Sequence, residues 1–159
     1  MLAAFAGGCS PGDGPAGAAP ADRSAPDFTL PLSGGGSVAL ADFAGKTVVL
    51  DFWATWCTPC VAQIPELNAV FDAHRAEADF AMLGISVDVD GDDVVAPWLA
   101  EHGVRYPVAL ADGDLSADYG AIGLPATIIL GPDGQIFDRH VGPLPRDEIE
   151  KRIAAARGG

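Results

Sequence analysis

The sequence predicts an α/β domain, a central mixed β-sheet flanked by helices and preceded by an amino-terminal β-hairpin. Three observations carry this. Residues 47–54 form a near-continuous apolar, β-branched and aromatic run, as a strand buried on both faces requires. A helical segment and then a second such run, residues 80–87, follow it, which makes a right-handed parallel strand–helix–strand unit. Near the carboxyl end, residues 127–130 and 135–140 flank Gly131-Pro132-Asp133-Gly134, strong turn chemistry for an antiparallel hairpin.

The remaining elements follow in order. Residues 28–30 and 38–40 flank Gly34-Gly35-Gly36 and predict the first hairpin. A helix is expected over 59–74, because Cys60, Ile64, Leu67 and Phe71 fall on one face. Another is expected between residues 92 and 102, but Pro97 falls inside it. A proline there removes a hydrogen bond and crowds the preceding turn, so the helix either kinks or begins near Pro97. The last helix begins at Pro145, with Asp147 and Glu148 early, Arg157 late, and Ile149 and Ile153 on one face.

At 159 residues the chain can bury a real core as one domain. Its net charge is −13 and its only lysines are Lys46 and Lys151. Nucleic acid and anionic lipid surfaces are poor partners for such a chain, since both need a cationic face. The acidity reads as a solvated, solubilising surface.

Residues 1–26 differ from the domain over 27–159. From Ser10 to Pro26 the chain is almost wholly small residues, proline and aspartate, the composition of a flexible tether. Phe5-Ala6-Gly7-Gly8-Cys9 resembles a bacterial lipoprotein processing site, in which the cysteine is lipidated and becomes the mature terminus. No Lys or Arg precedes this apolar stretch, which is shorter than a full signal segment, so it reads as truncated.

Chemistry concentrates at Trp56-Cys57-Thr58-Pro59-Cys60. Cysteines at i and i+3 on the first turn of a helix lie on one side, within reach of a disulfide. Cys57 stands at the helix amino terminus, where unpaired N–H groups and the helix dipole favour a thiolate. Cys60 lies on the apolar stripe. Cys57 is therefore the exposed nucleophile and Cys60 the sheltered thiol that resolves the mixed disulfide. A structural disulfide and half of a metal site are the other readings, though a zinc site needs a second ligand pair at suitable spacing. His74, His102 and His140 show no ligand or triad arrangement, and no metal or cofactor beyond the redox disulfide is expected.

Trp53-Ala54-Thr55-Trp56-Cys57-Thr58-Pro59-Cys60 closely resembles the thioredoxin active-site region, which implies a thioredoxin fold. In detail the chain is most similar to the extracytoplasmic TlpA/ResA branch. The matching features are the first hairpin, Gly103-Val104-Arg105-Tyr106-Pro107, Gly123-Leu124-Pro125-Ala126-Thr127 and Gly131-Pro132-Asp133-Gly134. The resemblance implies that Pro65 is a helix-kinking proline. It implies that Pro125 is a cis-proline beside the dithiol, with the Leu124 backbone pairing to an extended substrate. Trp56, Thr58 and Pro59 complete that substrate rim, while Trp53 belongs to the core. Asp51 interrupts an apolar strand, where a carboxylate is costly and its pKa should rise. Thioredoxin carries an aspartate beneath its dithiol at this position, so Asp51 is expected to accept the proton of Cys60. Asp88 and Asp90 read as loop carboxylates.

Thr58 adds no positive charge between the cysteines and Leu124 offers no hydroxyl, so nothing beyond the helix terminus drives Cys57 to the extreme of the strong oxidants. The expected protein is a monomeric, membrane-tethered reductase of protein disulfides in the periplasm or cell envelope, recharged by a membrane thiol donor. The resemblance allows clients in cytochrome c or copper-site maturation. Two rival readings are weaker. A Sco-like copper chaperone uses a longer cysteine spacing, and a peroxiredoxin-like peroxidase needs a threonine where Ala54 stands.

Overall fold

The computed structural model describes residues 23–158; Cys9 and the tether up to residue 22 lie outside them. The last four residues of the expected tether, Arg23 to Pro26, belong instead to the domain, because Ser24 bridges Gln135 and the Arg23 and Pro26 carbonyls accept from Ile136 and Tyr119. The first hairpin pairs β1 (Thr29–Pro31) with β2 (Ser37–Ala39), Leu30 opposite Val38, one residue from the expected bounds. Gly34, Gly35 and Gly36 all have positive φ, so this turn is closed to ordinary side chains. After a 3-10 turn at Leu40–Phe43 comes β3 (Thr47–Trp53), all seven of whose residues are buried. A long helix, α1 (Thr58–His74), then crosses to β4 (Phe80–Ser86), which pairs with β3 in parallel.

Next comes α2 (Asp92–His102), a single helix that includes Pro97. Its first turn closes on the Gly91 carbonyl, which accepts from Val94 and Val95, and it stops at Gly103 with φ 64°. Packing holds it across the proline: Val95 is fully buried, and Trp98 and Leu99 pack on the same core. Two elements have no counterpart in the expected list, the strand β5 (Val108–Leu110) and the helix α3 (Gly113–Asp118). Both are too short for periodicity to reveal. A side-chain cap, Leu115 N–H to Asp112 at 3.3 Å, starts α3.

The chain closes with β6 (Ala126–Leu130), β7 (Ile136–Val141) and α4 (Arg146–Arg157). The five-stranded sheet has the order β5-β4-β3-β6-β7. β5, β4 and β3 are parallel, while β6 and β7 run antiparallel to their neighbours. The sheet divides the core in two. Val49, Trp53, Met82, Val108 and Ile129 meet the helices α1, α2 and α4 on one face. Leu50, Phe52, Leu83, Ile85 and Ile128 meet Phe28, Val38 and Tyr119 on the other.

Tyr119 ties the amino-terminal segment to that second face. Its ring is fully buried against Phe52 and Phe28, with centroids 5.6 Å and 6.3 Å away. Its hydroxyl donates to the Pro26 carbonyl at 2.6 Å. Tyr119→Phe keeps the ring and strands that carbonyl. The expected cost is about 1 kcal/mol, a fall in Tm of roughly 2–4 °C by calorimetry.

Candidate active site

All three parallel strands end at one edge of the sheet, where ligands of open α/β sheets bind. From the end of β3 a tight turn, Cys57 N–H to the Ala54 carbonyl at 3.1 Å, delivers the chain to α1. Cys57 is the N-cap of that helix, and its Sγ accepts from the Cys60 N–H at 3.3 Å. Sulfur thus occupies the place a capping oxygen usually takes, among backbone donors with no partner inside the helix. Negative charge on Cys57 is favoured there. Pro59, inside the first turn, sacrifices no intrahelical hydrogen bond.

The two sulfurs are joined in a disulfide with Cα atoms 5.3 Å apart. Both cysteines are buried in this oxidised form, Cys57 at 5% exposure and Cys60 at 4%. This corrects the picture of an exposed Cys57, because the bond and the walls of the site cover it. Direction separates the two instead. Cys57 opens onto a groove of about 630 Å³, whereas Cys60 faces the core with Trp53 and Leu67 and does not line the groove.

The groove brings together most of the residues that the sequence singles out. Trp56, Thr58 and Pro59 line it from the start of α1, Ile122, Gly123 and Leu124 from the loop before β6, and Val87 from just past the end of β4. Trp56 is 70% exposed and Ile122 89%. The Leu124–Pro125 peptide bond is cis, with Pro125 buried and its carbonyl accepting from Gly142 at 2.7 Å. Trp53 is a core residue, stacked on Trp98 at 4.5 Å, which stacks in turn on His102 at 4.0 Å.

Asp51 sits beneath this site. It shares a strand face with Val49 and Trp53, the face on which Cys60 packs. Its sheet neighbours are Gly84 on β4 and Thr127 on β6. The missing side chain at Gly84 matters, since a Cβ there would lie 2.9 Å from Cε2 of Tyr106. The space admits the Tyr106 ring, whose hydroxyl is close enough to the Asp51 carboxylate for each to shift the other's proton affinity. Burial pushes the Asp51 carboxyl up to about 8, and the Tyr106 hydroxyl opposes this with a smaller effect. Burial, reinforced by the neighbouring Asp51 charge, drives Tyr106 upward too. One oxygen of Asp51, Oδ1, has no hydrogen-bond partner among the described residues.

Asp88 and Asp90 part company. Asp88 is buried and accepts from the Thr55 N–H at 2.9 Å, the Thr55 hydroxyl at 2.6 Å and the Ser86 hydroxyl at 2.7 Å, pinning the turn before Cys57. Asp90 is exposed. Three contributors have no assigned role in the sequence reading: Tyr106, Ile122 and Gln63. Gln63 is buried and joins α1 to Thr127 and to the Leu144 N–H, both at 3.3 Å. A polar residue on the inner face of α1, three positions after Cys60, was the signal for it.

A dithiol capping a helix beside a cis-proline belongs to one class of protein, thiol–disulfide oxidoreductases of the thioredoxin fold. The comparisons agree. Residues 21–139 match the AhpC/TSA family, and the chain belongs to that family. It is 32% identical over 133 residues to the thiol-disulfide oxidoreductase ResA of Oceanobacillus iheyensis, covering 80% of this chain and 68% of that protein. Among solved structures, it resembles a thioredoxin-family thiol:disulfide interchange protein from Chlorobium tepidum TLS. The TM-score is 0.75 at 27% identity, with 87% of this chain and 99% of that one covered. It also resembles a secreted disulfide oxidoreductase of Mycobacterium tuberculosis. There the TM-score is 0.68 at 27% identity, over 80% of this chain and 95% of that one. The protein is a thiol–disulfide oxidoreductase acting on protein disulfides.

The buried carboxyl makes a prediction about stability. Its folded pKa lies above its unfolded value, so the native state holds the proton more tightly. Stability from this group is complete at low pH and declines as pH rises from about 4 to about 8. Asp51→Asn removes that decline. The variant should match the wild type at pH 4 and exceed it by about 2–4 kcal/mol at pH 7 in urea unfolding.

Proposed function

We propose that this protein is a reductase of protein disulfides outside the cytoplasm, tethered to the membrane through a lipid on Cys9 and working as a monomer. The observation that carries the reductive mechanism is the asymmetry of the pair. Cys57 meets the groove from the helix terminus, while Cys60 lies behind it against the core.

The Cys57 thiolate attacks one sulfur of the client disulfide. A Cys57–client bond forms, the client S–S bond breaks, and the other client sulfur leaves as a thiolate and takes a proton. Cys60 then gives its proton to Asp51 and attacks Cys57 Sγ. The Cys57–Cys60 bond forms, the bond to the client breaks, and the second client sulfur is released. Two electrons have passed to the client, and a membrane dithiol donor restores the pair. An Asp51 pKa of about 8 suits this work, close to that of an ordinary thiol. Trp56, Thr58, Pro59 and Leu124 hold the client segment, and Pro125 shapes that rim.

The reductive direction is supported by the lack of any Lys or Arg in residues 53–65, which leaves the helix terminus as the feature of this segment that favours a Cys57 thiolate. The expected potential lies near the ~−270 mV of thioredoxin and far below the ~−120 mV of the strong periplasmic oxidants. The likeness to a secreted oxidoreductase supports the location. The relatives are named for disulfide exchange, which favours neither the copper-chaperone nor the peroxidase reading.

Cys60→Ser should accumulate a mixed disulfide through Cys57, and mass spectrometry of the trapped species names the client; trapping through residue 60 in Cys57→Ser instead would reverse the roles. Asp51→Asn should slow reduction about tenfold or more and abolish an inflection near pH 8 in the rate. An unchanged pH profile in stopped-flow kinetics would remove Asp51 from the mechanism.

A further inference from the structure

Charge is divided unequally over the molecule. The ion pairs of the described residues join Arg105, Arg146, Lys151, Arg152, Arg157 and His74 to acids on α1, β7, α4 and the residues just after α1. None involves a segment that leaves the carboxyl edge of the sheet. Those segments, residues 54–65, 87–100, 111–125 and 142–145, contain no Lys or Arg. They do contain Asp90, Asp93, Asp112, Asp114 and Asp118, all exposed. Two cations stand near this end: Arg139, whose Nε donates to the Tyr119 carbonyl at 3.0 Å, and Arg146, which follows the last of these segments and pairs with Glu150 on α4. The end of the sheet onto which the dithiol groove opens therefore carries a net negative charge. The groove itself is lined by no charged side chain and is flanked by the exposed apolar groups of Trp56 and Ile122.

We infer that the groove selects a cationic partner: an extended polypeptide segment with an apolar side chain next to its disulfide and Lys or Arg on either side. The inference rests on the disulfide-exchange reading of the same site and names the chemistry of its client. The apolar side chain sits between Trp56 and Ile122, where its burial adds affinity. The flanking cations meet the aspartates of the β4–α2 loop and of α3. Charges of this kind act mainly on the encounter rate and on the choice of partner, and salt screens them. An acidic client meets like charge at the same mouth and is rejected.

The test uses the reduced protein and two synthetic peptides, each with one disulfide beside a leucine. One peptide is flanked by lysines and the other, otherwise identical, by glutamates. Hydroxyethyl disulfide serves as a neutral reference. Each peptide rate is divided by the rate with the reference, which cancels any change in thiol reactivity. At low salt the lysine peptide should react about tenfold faster than the glutamate peptide, and the gap should close at ~0.5 M NaCl. The double variant Asp114→Lys/Asp118→Lys should shrink or invert the preference. Ile122→Ser should slow both peptides several-fold without changing their ratio. Equal rates at low salt, a preference insensitive to the α3 substitutions, or no effect of Ile122→Ser overturns the inference. Failure to reduce any of the three disulfides overturns the exchange reading instead.

Discussion

Everything at the active edge depends on β3 being paired on both sides and covered on both faces. All seven of its residues are buried, so its path is fixed by β4, β6 and both halves of the core. A strand so held has one exit, and the chain leaves it three residues before Cys57. The capping geometry at the dithiol is thus inherited from sheet pairing rather than built by the loop alone. Asp88 adds the remaining restraint by gripping Thr55 within that exit. The reactive sulfur is positioned by rigid elements, as a site that must meet another protein's disulfide at bonding distance requires.

The same strand carries the molecule's main internal conflict. A carboxyl on its inner face is hard to hold ionised, and the surroundings make room for a tyrosine hydroxyl rather than a cation. Gly84 gives up its own packing so that the Tyr106 ring can fit. Stability is lost at neutral pH in exchange for a carboxyl that titrates in the range of thiols. A buried acid whose proton affinity is raised in this way marks a candidate functional group.

Much of this was legible in the sequence because the signals are strong and local. The long apolar runs give β3 and β4, the glycine turns give both hairpins, and two cysteines before an apolar helix give the dithiol. What stayed hidden depends on distance along the chain. Tyr106 reaches Asp51 from 55 positions away, and no pattern around either residue announces the pair. Gln63 and Thr127 meet only because α1 lies over β6. The strand β5 and the helix α3 are too short to have a period, and the proline in α2 misleads because packing overrides a single missing hydrogen bond. The burial of Cys57 follows from walls contributed by remote segments.

The amino-terminal segment has one more consequence. An open five-stranded sheet has two outer strands whose backbone groups can recruit a second chain. Here residues from before and within the first hairpin reach both borders. Leu32 bridges Ala109 and the Ser33 N–H bonds the Val108 carbonyl at 2.9 Å on β5. At the other border, Ser24 bridges Gln135 and the Ile136 N–H reaches the Arg23 carbonyl at 2.7 Å. The hairpin extension thereby works as a guard against edge-to-edge aggregation. Such a guard matters most at high local concentration, where neighbouring sheets would otherwise be free to zip together.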